Sequence, residues 1–174
     1  MYDHLEQFVP QKVCLSCDGC CRFKEEKSTW RPKLTKTEIQ GNQSLSLADR
    51  ILRQDILDHR GYIKTVSCQG QYLCSFFNPN GNICKIYQNR PFECQLYPFI
   101  LSKNALGETA LSVHLLCPHI QEKRTTSEFE AFKNYLYQYF HQPRNLAFLK
   151  NNPQLIGDYS QYESEIERLF TLEL

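Results

Sequence analysis

Four cysteines fall within eight residues in Cys14-Leu-Ser-Cys17-Asp-Gly-Cys20-Cys21, and five more follow at Cys68, Cys74, Cys84, Cys94 and Cys117. Nine thiols in 174 residues exceed what packing requires. Thiolate sulfur is the ligand that zinc and iron–sulfur clusters select. The overlapping C-x2-C-x2-C-C run gathers four sulfurs without closing a long loop, so the entropic cost of bringing them together is small. Gly19 is expected to allow a tight backbone turn between them. Adjacent Cys20 and Cys21 point to opposite faces of an extended segment, so they serve one centre only through an unusual turn and otherwise serve two.

The compartment decides how such cysteines are read. The N-terminal Met-Tyr-Asp-His-Leu-Glu-Gln-Phe carries neither the basic segment nor the apolar run of a signal peptide. No apolar stretch approaches the roughly 18 residues of a membrane span. A cytoplasmic location follows, where clustered cysteines are metal ligands or redox groups rather than structural disulfides. The odd number of cysteines argues the same way. A formal net charge of +1 and no basic stripe argue against nucleic acid and against a membrane surface. The sequence names no protein partner.

Elements that must position these residues can be traced along the chain. Thr35-Lys-Thr37-Glu38 has the form of a capping box opening a short helix that ends near Gly41. Ser46 to Arg60 reads as a helix with Gly61 as its stop. Tyr62–Cys68 and Tyr72–Phe77 read as strands. Asn78-Pro79-Asn80-Gly81-Asn82 is a turn, and Ile83–Tyr87 is the returning strand. In a symmetric hairpin Phe77 faces Ile83 and Cys74 faces Ile86, leaving Cys74 and Cys84 diagonal on one face, about 7–8 Å apart.

Pro91 opens a short helix that holds Cys94 and ends at Pro98. Near its start, the helix dipole and the charge of Arg90 favour thiolate. Arg90 is thus placed either beside the cysteine centre or in contact with Glu93. Phe99–Ser102 and Ala110–Leu116 read as strands. Ser127-x-x-Glu130 caps an amphipathic helix carrying Phe129, Phe132, Leu136 and Phe140, with Pro143 as its stop. A last helix is expected from Ser160 to Phe170. The aromatic stripes fit core packing. The expected fold is α+β: a metal-centred domain over residues 1–121 with a short antiparallel hairpin sheet among helices, and a helical extension over 122–174 packed on it.

Cys14-x2-Cys17-x2-Cys20-Cys21, then Cys74, then Cys84-x-Ile86-Tyr87-x2-Arg90-Pro91-x2-Cys94-x2-Tyr97-Pro98, together resemble the CxxCxxCC (YkgJ-like) cysteine-cluster family of zinc- or iron-chelating domains. The resemblance spans about residues 14–118. It implies a metal-binding domain whose ligands are Cys14, Cys17, Cys20, Cys21, Cys74, Cys84 and Cys94, with Cys117 an eighth. The family often closes on Cys-Pro-Gly, whereas this chain has Cys117-Pro118-His119.

Sulfur-only ligation leaves zinc and iron–sulfur both open. The hairpin ligands, the C-x2-C-x2-C run and Cys117-Pro118 weigh toward a 4Fe–4S cluster. Three classes stand: a structural, carrier or sensor metal centre; an iron–sulfur redox protein or enzyme; and a zinc-stabilised interaction module. A similar cysteine pattern in flagellin lysine methylases implies a methyl-transfer variant of the second, although no glycine-rich cofactor loop accompanies it. His114 and His119 flank Cys117 as possible accessory ligands, and Cys68 stands outside the pattern.

Overall fold

The computed structural model describes residues 2–17, 19–35, 37–38, 57–104 and 106–174. The chain is α+β and divides into two compact units. A central unit runs over Gln11–Cys94, and a terminal unit joins Met1–Pro10 to Gln95–Leu174.

The central unit opens on the short helix α1 (Gln11–Ser16). Strands β1 (Arg22–Phe23), β2 (Thr65–Cys68) and β3 (Gln71–Cys74) form an antiparallel sheet in the order β1-β3-β2. Gln69 and Gly70, both with positive φ (49° and 80°), turn β2 into β3. This backbone suits the right-handed strand twist, and glycine enters it at no steric cost. Phe23, Leu34, Ile63, Leu73, Cys74 and Phe77 make the buried core, with Trp30 and Tyr72 packed against it.

A separate ribbon pairs β4 (Phe77–Asn78) with β5 (Ile83–Cys84). Its register is Phe77↔Cys84 and Asn78↔Ile83, one residue away from the symmetric hairpin expected. Cys74 instead pairs with Thr65 in the three-stranded sheet, so Cys74 and Cys84 do not share a sheet face. After β5 the chain enters a 3₁₀ turn (Tyr87–Asn89) rather than continuing as strand, and then α2 (Phe92–Leu96), which holds Cys94.

The capping box at Thr35 is present in full. Thr35 Oγ1 accepts from the Glu38 N–H (3.1 Å), and the Glu38 carboxylate accepts from the Thr35 N–H (2.7 Å). Most of the helix expected from Ser46 to Arg60 lies outside the described residues, but its end is corrected. Leu57 bridges Ile63, and Asp58 to Gly61 form a turn. There Asp58 Oδ1 accepts the N–H groups of Arg60 (2.8 Å) and Tyr62 (3.1 Å), the local competition that makes aspartate a turn residue.

In the terminal unit β6 (Phe99–Lys103), β7 (Thr109–His114), β8 (Gly157–Asp158) and β9 (Ile166–Leu172) form a sheet in the order β8-β6-β7-β9. Helices α3 (Pro118–Lys123), α4 (Ser127–His141) and α5 (Pro143–Asn151) complete the unit. Phe99, Leu111, Val113, Ile120, Leu136, Phe140 and Leu149 are all buried.

Three expectations are corrected here. Thr126, not Ser127, caps α4, its hydroxyl accepting from the Phe129 N–H (3.3 Å), and Pro143 starts a further helix rather than only ending one. The segment expected as a last helix is a 3₁₀ stretch (Ser160–Glu165) leading into strand β9. A bulge explains the misreading. Leu111 faces Phe170 and Ser112 faces Arg168, so Leu169 is an extra residue that breaks the two-residue alternation and leaves helix-like apolar spacing.

Candidate metal centre

Seven of the sequence-predicted cysteines lie in the central unit and reach one neighbourhood from five places. Cys14 sits in α1 and Cys17 directly after it, its N–H donating to the Cys14 carbonyl (3.3 Å). Cys20 and Cys21 occupy the turn that leads into β1, closed by the Arg22 N–H on the Gly19 carbonyl (3.1 Å). Cys74 ends β3, and its N–H donates to the Cys21 carbonyl (2.9 Å), which locks the two segments together. Cys84 ends β5 and Cys94 lies inside α2.

Gly19 opens the tight turn expected between the cysteines, without a left-handed φ, and its N–H donates to the Cys17 sulfur (3.4 Å). A backbone N–H aimed at sulfur stabilises negative charge there.

The thiols act on one another. Burial above all, then Cys20, with Arg90 opposing, pushes Cys14 up to about 11. Burial does the same at Cys74, again to about 11, with Cys84 and Cys20 adding to it and backbone N–H groups opposing. Burial raises Cys84 and, further, Cys94, which also feels Cys74, Cys20, Glu93 and Cys84. Cys21 hydrogen-bonds Cys20, which lowers Cys20 and raises Cys21. Crowded sulfurs in low dielectric resist ionising together, and a cation among them reverses that preference.

Arg90 supplies one such positive charge. Its residue is 8% exposed, its Nη1 donates to the Cys14 sulfur (3.7 Å), and its guanidinium stacks over the Tyr87 ring at 3.5 Å. Its charge also acts on Cys20 and Cys84.

Other sequence-stated residues lie elsewhere. Cys117 is in the terminal unit, buried, at the N-cap of α3. His114 bonds the Tyr97 hydroxyl through Nδ1 (2.9 Å), and its Nε2 is 3.8 Å from Glu165. His119 is buried against Phe8. Cys68 ends β2 and packs on the apolar core. All nine cysteines are free thiols.

Among the described residues, no three Cys, His, Asp or Glu side chains converge on a single metal position. The thiols are neighbours rather than a closed coordination sphere. Their donor chemistry nonetheless suits a soft or borderline metal: sulfur only, partly shielded, with one buried cation beside them.

Sequence reasoning gave two carboxylates other roles, Glu38 in a capping box and Glu93 as a contact of Arg90, and missed the backbone N–H groups they accept across the chain. Glu93, beside Cys94, accepts the Lys33 N–H (2.6 Å), and Glu38 accepts the Phe92 N–H (2.6 Å). Burial raises Glu93 to about 7, against the opposing pull of Lys33. The capping-box spacing exposed Glu38, but nothing in the sequence pointed it at Phe92.

A family model described as "CxxCxxCC: Putative zinc- or iron-chelating domain" matches residues 13–135. No curated protein and no solved structure matches the chain.

Proposed function

The chain belongs to the CxxCxxCC family, described as zinc- or iron-chelating, and from that premise we propose that its central unit binds metal through cysteine thiolates, first as a 4Fe–4S cluster and alternatively as zinc. The observation that carries this reading is the group of seven mutually interacting thiols beside buried Arg90. Cys14, Cys17, Cys20, Cys21, Cys74, Cys84 and Cys94 would hold the metal.

Arg90 offsets the negative charge that accumulates when several thiols ionise. The Gly19 N–H does the same at Cys17. A bound cluster would supply one-electron chemistry, and a zinc ion a cross-link that stabilises the fold. More thiols are present than one tetrahedral centre uses, so the reading accommodates either a second centre or spare sulfurs. A reducing compartment such as the cytoplasm keeps these thiols available.

The test is iron, zinc and acid-labile sulfide content of anaerobically purified protein, with its visible absorption spectrum. Iron with matching sulfide establishes the cluster, and zinc without sulfide establishes the alternative. Cys17→Ala and Cys84→Ala are expected to lower the bound metal, while Cys68→Ala leaves it unchanged. Wild-type protein carrying neither metal would sink the proposal.

A further inference from the structure

We propose that Glu38 and Glu93 are positioning residues for the cysteine centre, acting as a reciprocal clamp that fixes α2 and its Cys94. This rests on the metal-binding reading above and identifies what holds that site in place. The clamp has two short bonds running in opposite directions. Glu38 reaches the first backbone N–H of α2, at Phe92 (2.6 Å). Glu93 reaches back from α2 to the backbone N–H of Lys33 (2.6 Å).

A carboxyl oxygen accepts from a backbone N–H whether or not the group is ionised, and more strongly when it is. Two such bonds, crossed, fix both the position of the helix and its rotation about its axis. Each end is itself anchored. The second oxygen of Glu38 holds the Thr35 N–H (2.7 Å), and Thr35 is fully buried. Lys33 is 5% exposed, bridges Tyr62 in antiparallel fashion, and lays its ammonium over the Tyr62 ring (5.1 Å).

What the clamp fixes is chemically important. α2 is five residues long and too short to hold itself in place. Cys94 is in its interior, and Arg90, which donates to Cys14, lies two residues before its start. A small rotation of α2 therefore moves a sulfur and the charge-balancing guanidinium together. Glu93 adjoins Cys94 in the chain. Its Oε2 is committed to Lys33. Outer residues that orient ligands are typically worth about 10- to 100-fold in metal affinity.

The experiment loads reduced full-length protein with cobalt(II), follows the thiolate-to-cobalt charge-transfer band, and measures release to excess chelator. Glu38→Ala and Glu93→Ala are expected to speed release about 10- to 100-fold and to alter the band shape. Glu93→Gln keeps an acceptor oxygen for Lys33 and is expected to stay within about threefold of wild type, the rescue a positioning role requires. Asp58→Asn is the control for general destabilisation. It removes the Arg31 ion pair in the same unit, and it is expected to lower the melting temperature without changing release.

Release unchanged in both alanine variants overturns the clamp, as does Asp58→Asn accelerating release as much as Glu93→Ala. If an alanine variant does not fold, Glu93→Gln decides: a loss as large as full truncation overturns the proposal, and retention supports it. Wild-type protein that takes up no cobalt and carries no iron or zinc overturns the metal reading itself, and the clamp falls with it. Wild-type protein that binds while the variants match it overturns the clamp alone.

Discussion

At the scale of the residue, side chains declare themselves in the sequence when their type is their chemistry. Cysteine is such a type, because a thiolate's affinity for soft metal is the same in any fold, and the structure brings seven of the cysteines near one another. Arg90 was half legible: its charge was visible, its partner was not. The structure places its guanidinium on Cys14 and over Tyr87. A planar fork that stacks on one face and donates at its edge cannot be replaced by a point charge. Arg90→Gln is therefore expected to weaken metal retention about tenfold, the low end for a residue one shell out. Arg90→Lys restores the charge but not the stacked fork, and it is expected to recover only part of the loss. Competition against a chromophoric chelator measures both. Equal retention in wild type and Arg90→Gln would remove Arg90 from the site. The long-range contacts of Glu38 and Glu93 were illegible for the opposite reason. The two residues serve by accepting backbone N–H groups, and which N–H comes within reach is settled only by the fold.

At the scale of the element, local signals survived where the local chain sets the geometry and failed where pairing sets it. The Thr35–Glu38 capping box, α2 and the β6–β7 pair all follow from nearby residues. β9 does not, because its bulge opposite Leu111 makes a strand look like a helix. The ribbon β4–β5 is one residue off the expected register, and Cys74 belongs to β3 in a different sheet. The turn at Asp58 shows how a nonlocal charge fixes an element. Arg31 is 4% exposed as a residue and meets the Asp58 carboxylate at 3.0 Å. Burial raises the pKa of Asp58, but the Arg60 and Tyr62 N–H groups and then Arg31 outweigh it, and the net shift is downward.

The sign follows. A carboxyl held below its unfolded value contributes stability that is complete above that value, about 3.9, and is lost as pH falls through the lower folded value. Asp58→Asn keeps the acceptor for both N–H groups and removes only the charge opposing Arg31. It is expected to cost about 2–3 kcal/mol at pH 7, less than the ~3–5 of a pair with both partners fully buried. The difference from wild type should begin to shrink below about pH 4, as the unfolded-state carboxyl protonates, and disappear once the folded-state carboxyl protonates at its lower value. Denaturant melts at pH 7 and pH 3 check it, and a gap that stays constant would rule out the ion pair as the cause.

At the scale of the whole molecule, composition located a change near residue 121, where the chain turns helical, whereas the compact units part at Pro10/Gln11 and Cys94/Gln95. That division was hidden because chain ends far apart in sequence build one unit. The Asp3 N–H donates to the Asn145 side chain (3.1 Å), and the Tyr139 hydroxyl donates to the Asp3 carbonyl (2.8 Å). The two units also differ in what holds them. The terminal unit buries several whole phenylalanine and leucine side chains between sheet and helices. The central unit, among its described residues, has a small apolar core that includes a cysteine, and it carries the thiol group beside that core. Small units with thin cores are commonly completed by a metal, whose binding energy becomes folding energy. Stripping the metal from reduced protein with a chelator should therefore open the central unit selectively. Amide hydrogen exchange is expected to rise across β2, β3 and α2, while β6, β7 and α4 keep their protection. Protection lost equally in both units would mean that the metal supports the whole molecule rather than one part. Protection unchanged in β2, β3 and α2 would mean that the cysteines do not stabilise the fold through a metal, and their function would have to be sought in the reactivity of the thiols alone.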